Sequence, residues 1–279
     1  MTLTPGNTAH PDLSAFLTTL DWPVMPEVGQ ALLRTFADED ADIDTVSRII
    51  SKDPALTATL LRMANSAMFG LSGTVDTLER AISVVGMSLI RARALSICVA
   101  RLVNLPAGMD RMAFWRYCML CAGYAQWLAT QCEADAQEAW LAGMMLRLGE
   151  ISLCRVRPEV LPQLQVKPGE PGVRWSLQRH LLGFDEGQVV AEMARHWDFP
   201  DTLVQGLQNA AQPLLAEKMS KLAAVLHLAG RLADSDGVNE ASLDALPLMV
   251  VLLLKLDLKA LLTSAPDADA LADITMFQH

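Results

Sequence analysis

Two cysteines three positions apart, Cys118 and Cys121, have a type and spacing that can hold zinc or cycle between dithiol and disulfide. The pair falls inside a run of helical periodicity rather than at a helix N-terminus, and no second C-x-x-C or H-x-x-x-H completes a set of four ligands. Both are therefore read as reduced, buried packing groups. His180, His196 and His227 are the histidines in the body of the chain, and none has a histidine or cysteine three or four positions on. No serine or cysteine sits in a nucleophile turn such as G-x-S-x-G, so a hydrolytic triad has no support. Asn65 and Ser66 end an apolar helical run. They either satisfy nearby backbone groups or line a crevice between two lobes.

The elements that hold these residues are helices. Leu56, Leu60, Met63, Ala64 and Ala67 recur at the spacing of one helix face, as do Tyr117, Cys121, Tyr124, Ala125 and Leu128. Asp53-Pro54 supplies a cap followed by proline in the first turn. Asp76 with Glu79, and Asp135 with Glu138, place an acid three positions after an aspartate cap. Gly70 and Gly86 sit where helices would stop in a backbone conformation that glycine adopts without steric cost. No segment alternates apolar and polar residues between turn signals, which predicts an all-α chain. Leu105-Pro106-Ala107-Gly108 separates a first group of helices from a second, and Lys167-Pro168-Gly169-Glu170-Pro171-Gly172 interrupts the second.

At 279 residues, 52% of them hydrophobic and 19% charged, the chain can bury a sizeable core. Its 22 Lys and Arg against 32 Asp and Glu give a net charge of −10, and no basic run could neutralise consecutive phosphates, so nucleic acid is not an expected partner. The longest apolar stretch, Ala245 to Leu254, is far short of the roughly 20 residues that span a bilayer. It reads as a buried helix, and no membrane insertion is expected. The first 25 residues lack a secretory pattern, and five cysteines with no paired framework point to the cytoplasm. The 14 methionines fall mostly on core stripes.

Two stretches carry a resemblance. Leu141-Ala142-Gly143-Met144-Met145-Leu146-Arg147-Leu148-Gly149-Glu150 is similar to the L-A-G-L-L-H-D-I-G-K helix of the HD phosphohydrolases, in which adjacent His and Asp hold the metal. Asp53-Pro54-Ala55-Leu56-Thr57-Ala58 running into Arg62-Met63-Ala64-Asn65-Ser66-Ala67 resembles the HDOD family, the HD-related output domain of bacterial signalling proteins. The likeness continues through Trp22 to Val28, Ile82 to Ser88, Phe114 to Tyr117 and Leu182 to Glu186, covering roughly residues 20 to 215. It implies an HD/phosphodiesterase-like helical bundle behind an added N-terminal helical lobe. The expected division is an extension over 1–19, an HDOD domain over 20–215 split into lobes 20–105 and 109–215, and C-terminal helices over 216–279 packing on the bundle.

Within that likeness the hydrolase ligands do not carry over. Tyr117 stands where the first metal histidine would be, Leu146-Arg147 replaces the His-Asp pair, and Glu186 replaces a later histidine. Leucine has no donor electrons and arginine brings a fixed positive charge, so neither catalytic residue, metal nor cofactor is expected. A buried Arg147 must pair with a carboxylate, Glu150 or Glu186 being the nearest by argument. Tyr117, Leu146, Arg147 and Glu186 would then line a vestigial cleft, with Asp53, Pro54, Asn65, Ser66, Gly70 and Gly86 serving the fold. The expected function is a non-catalytic signal-transduction output module that binds signalling proteins, such as a receiver or a cyclic-dinucleotide enzyme. The alternatives are a metal-dependent phosphohydrolase with substitute ligands and a nucleotide-binding sensor without turnover, Arg147 holding a phosphate.

Overall fold

Asp53 accepts a hydrogen bond from the Leu56 amide at 2.8 Å and Pro54 opens the helix behind it, so this element begins where its cap predicts. The computed structural model describes residues 12–274 apart from 37, 39–40, 67–73, 165–169 and 236, and no strand occurs among the described residues. Gly70, Ala67 and the Lys167-Pro168-Gly169 break lie outside them.

The N-terminal helices are α1 (Leu13–Leu17), α2 (Glu27–Arg34), α3 (Ile43–Ile50), α4 (Pro54–Ala64), α5 (Leu78–Val85) and α6 (Met87–Leu102). The cap predicted at Asp76 is displaced by one residue. Thr77 accepts from the Arg80 amide at 3.2 Å, because the core-facing set Leu78, Ala81 and Ile82 fixes the start of α5 at Leu78. Glu79, freed from a capping role, accepts a hydrogen bond from the Ser47 hydroxyl of α3. Gly86 joins α5 to α6 at φ +97° and ψ 144°, a conformation open essentially to glycine alone. Asn65 binds the Val75 backbone from both sides, its Oδ1 accepting at 2.8 Å and its Nδ2 donating at 2.7 Å. That places Asn65 as a latch between the end of α4 and the entry to α5. Ser66 Oγ is buried and meets no partner among the described residues.

The second group starts with α7 (Arg111–Gln131), which packs along α8 (Ala136–Met145) and α14 (Lys221–Ala233). Around them lie α9 (Leu148–Val156), α10 (Leu161–Leu164), α11 (Val173–Leu182), α12 (Glu186–His196) and α13 (Asp201–Gln208). Asp135 caps α8 through the Gln137 and Glu138 amides, as its sequence pattern predicts. One apolar core runs from Met25 and Leu32 through Phe114, Trp140 and Val225 to Ile274, so the N-terminal helices share buried surface with the rest. Four short helices close the chain: α15 (Glu240–Asp244), α16 (Leu248–Leu253), α17 (Leu258–Thr263) and α18 (Ala268–Leu271).

The apolar stretch ending at Leu254 is not the buried helix its composition predicts. Leu246, Val250, Val251 and Leu254 turn inward, but Leu248, Met249 and Leu252 are each about 60% exposed. Six residues make under two turns, and a single face of so short a helix reaches the core. No single described helix is long and apolar enough to cross a membrane.

Candidate functional site

Phe114 and Tyr117 project from α7 toward the break between α8 and α9, where Leu146 and Arg147 lie. Arg147 directs Nε to Glu150 Oε2 at 3.0 Å and Nη2 to Oε1 at 3.2 Å, a two-bond fork across one turn. Its guanidinium lies 4.8 Å from the Tyr117 ring centroid and 5.7 Å from that of Phe114. The side chain is 18% exposed and that of Glu150 only 1%. Arg147 therefore pairs inward with Glu150, one of the two carboxylates named for it, while Leu146 is fully buried beside it.

Glu186 is not bonded to Arg147. Asp185 caps α12 in a capping box with Gln188, which sets Glu186 at the first helical position, pointing back under α11. There Glu186 receives Arg174 Nη2 at 3.0 Å, Trp175 Nε1 at 2.8 Å and Gln178 Nε2 at 2.9 Å, while its own amide donates to Gln178 Oε1 at 2.9 Å. Gly149 makes room for this corner: a Cβ there would fall 2.0 Å from the Glu186 carbonyl oxygen. Arg174 is the hub. Besides Glu186 it reaches Asp234 at 2.8 Å, the Tyr117 hydroxyl at 2.6 Å and Glu150 at 3.4 Å.

The electrostatics follow from two cations and three carboxylates in one buried cluster. Burial works against the charge on Glu186, but Arg174, by charge and hydrogen bond, outweighs it and holds the carboxyl below its ordinary range. Burial dominates at Glu150, whose carboxyl is pushed up despite Arg147, with the negative charge of Glu186 adding to the effect. Arg174 is buried too, yet Glu186, Tyr117, Asp234 and Glu150 together drive its pKa well above the usual value. The Tyr117 hydroxyl is pushed up by burial, so it serves as a neutral hydrogen-bonding group.

Sequence reasoning brought Tyr117, Arg147 and Glu186 to one place but missed Arg174, Trp175, Gln178 and Asp234. The signal was present: one arginine cannot neutralise two buried glutamates, and Arg174 with Gln178 shares a face of one helix. A divalent ion does not suit this donor set. Among the described residues no three His, Cys, Asp or Glu converge as metal ligands, and Glu150, Glu186 and Asp234 are already held by guanidinium groups. A cavity of about 820 Å³ opens beside the cluster, with Phe114, Tyr117, Leu120 and Arg147 in its wall.

Among the described residues the remaining candidates make no hydrogen bond to this cluster, although the His227 ring stacks on Trp175 at 5.4 Å between centroids. Cys118 and Cys121 are buried in α7, and burial pushes the Cys118 thiol up to about 12 and raises that of Cys121 well above its ordinary value, which suits packing rather than redox work. His227 is buried with Nδ1 2.8 Å from the Ala210 carbonyl oxygen, and burial lowers it to about 4. His180 and His196 are exposed.

A helical bundle of this kind, with helices added at its N-terminus, is the HD-like architecture. The model of the HDOD domain matches residues 22–213, and the chain belongs to that family. A proposed phosphohydrolase from Shewanella amazonensis SB2B is 27% identical, with 96% of each chain covered and a TM-score of 0.71. An HDOD domain protein of unknown function from Geobacter sulfurreducens superposes with a TM-score of 0.69 at 15% identity, over 94% of this chain and 93% of that one. A Treponema pallidum protein of uncharacterised function is 22% identical over 191 residues, 67% of this chain, and the match spans 37% of that protein's length.

Proposed function

We propose that the chain is a non-catalytic module of bacterial signal transduction, passing a conformational or assembly state to other proteins. The observation that supports this reading is the Arg147–Glu150 and Arg174–Glu186 cluster: the resemblance sets Leu146-Arg147 at the His-Asp pair with which HD hydrolases hold their metal, and fixed cations with their counterions lie there. Tyr117 and Arg147 then line the vestigial cleft, with Leu146 and Glu186 of the expected set fully buried behind them, and residues 20–105 and 109–215 are the two lobes of the module. A receiver domain or a cyclic-dinucleotide enzyme is the kind of partner such an output module would serve, and the cytoplasm is where it would meet one.

The name of the Shewanella relative supports the rival reading of a phosphohydrolase, which the cluster argues against. The purified protein, given manganese, nickel or magnesium, is expected to leave phosphomonoesters, phosphodiesters and cyclic dinucleotides intact. Turnover above a Tyr117→Phe/Arg147→Ala control would favour the hydrolase. Tight cyclic-dinucleotide binding without turnover would favour a nucleotide sensor.

A further inference from the structure

A second cavity, of about 310 Å³, lies between α2 and α6 on one side and α8 and α13 on the other. Leu33, Leu141, Phe199 and Leu203 give it apolar walls, while its polar groups stand in two opposed sets. From α6 comes Arg91, whose Nη1 donates to the Thr35 carbonyl oxygen at 2.7 Å and whose guanidinium lies 4.9 Å from the Phe36 ring centroid. These contacts fix its orientation and leave Nη2 without a hydrogen bond among the described residues, while Nε is closed off from water. From the start of α8 come Gln137 and Glu138. Gln137 Oε1 is likewise enclosed and unpartnered, and Glu138 has one oxygen on the Thr202 hydroxyl and the other unengaged.

A cationic donor therefore stands on one wall and a carboxylate acceptor on the other, and among the described residues no bond crosses between them. Opposite charges facing each other across one apolar-walled cavity, each with hydrogen-bonding capacity left over, mark a place for a bridging molecule. The charges restrict what it can be. A simple anion drawn to Arg91 meets Asp135 and Glu138, and a simple cation drawn to Glu138 meets Arg91. A molecule carrying both charges satisfies both walls. The volume sits at the low end of the roughly 300–1,000 Å³ of ligand pockets, which suits one small molecule and not a nucleotide.

We propose that this cavity binds a free α-amino acid, its carboxylate on Arg91 and its ammonium on Glu138, with the side chain against Leu203 and Phe199. Arginine keeps its charge at any working pH, and with Nη1 held by Thr35 and Nε enclosed, Nη2 is the donor left for a charge-assisted bond to a carboxylate. Burial raises the Glu138 carboxyl above its ordinary range, a cost that an adjacent ammonium would relieve. Such a ligand would tie α6 to α8, and hence the N-terminal helices to the bundle.

The test is calorimetric titration of the whole chain with each of the common L-amino acids, alongside thermal unfolding. At least one should bind saturably, one per chain, and raise the melting temperature. Arg91→Gln and Glu138→Gln should each weaken that binding about tenfold or more. Ser88→Phe, at an exposed residue lining the cavity, should block binding while leaving the charged groups untouched. The decarboxylated amine of the same amino acid, and its acid lacking the amino group, should bind far more weakly. The proposal is overturned if no amino acid binds, if Ser88→Phe and Arg91→Gln bind as well as the parent, or if the amine alone binds equally.

Discussion

Two pairs of arginines lie inside this molecule and are treated in opposite ways. Arg147 and Arg174 are met by Glu150, Glu186 and Asp234 at 2.8 to 3.4 Å, and Arg174 gains charge stability despite complete enclosure. Arg91 and Arg93 on α6 have no carboxylate at salt-bridge distance among the described residues, and burial alone lowers both, Arg93 to about 9. Arg93 instead lies 3.3 Å from the Trp140 ring centroid and 3.4 Å from Gln126 Oε1, with Nη1 unpartnered. A buried charge is tolerable when its counterion is buried with it, and otherwise stores unfavourable free energy. The cluster is thus a closed lock on α7, α9, α11, α12 and α14, whereas the seam between the N-terminal helices and the bundle is under-satisfied. The proposed module would need a rigid part and a part that can be biased, and this contrast offers a candidate for each.

The largest effect is expected from breaking the lock. Glu186→Ala strands Arg174 and the Trp175 and Gln178 donors, and should lower unfolding free energy by about 3–5 kcal/mol in denaturant melts. A loss under about 1 kcal/mol would mean that the cluster is solvated and not closed. Next in size is a pH effect on the bundle core. His227 titrates near 4 when folded against 6.5 in a free chain, so the unfolded chain binds the extra proton first. Its stabilising contribution is whole above about pH 6.5 and is lost as pH falls toward 4, amounting to about 3 kcal/mol. His227→Gln should flatten that part of the stability profile, and an unchanged slope would assign it to other groups. The smallest effect is expected at the seam. Arg93→Met removes an uncompensated charge while keeping the aliphatic stem beside Trp140, and should change stability by less than about 1.5 kcal/mol in either direction. A loss as large as that of Glu186→Ala would erase the distinction between the two regions.

Much of the fold was legible because it depends on neighbours in sequence. The Asp53-Pro54 and Asp135 caps, the Gly86 stop and the stripe from Tyr117 to Leu128 are local signals, and each element forms where they put it. Asp76 failed as a cap because packing of Leu78 outranked the commoner aspartate pattern, and the stretch around Leu248 failed because apolar composition does not say how many faces a short helix can bury. Arg147 and Glu150 could be paired from their i, i+3 spacing. Arg174 and Asp234 are 60 residues apart and join only through the tertiary fold, and a charged residue on a helix reads by default as solvated.

Elemental analysis bears on the proposal that guanidinium groups stand where HD hydrolases hold their metal. Protein purified without chelator, then dialysed against one, should carry no stoichiometric zinc, iron, manganese or nickel, and metal titration should leave the melting temperature where it was. About one metal ion per chain surviving dialysis, lost on substitution of Glu150 or Glu186, would contradict it.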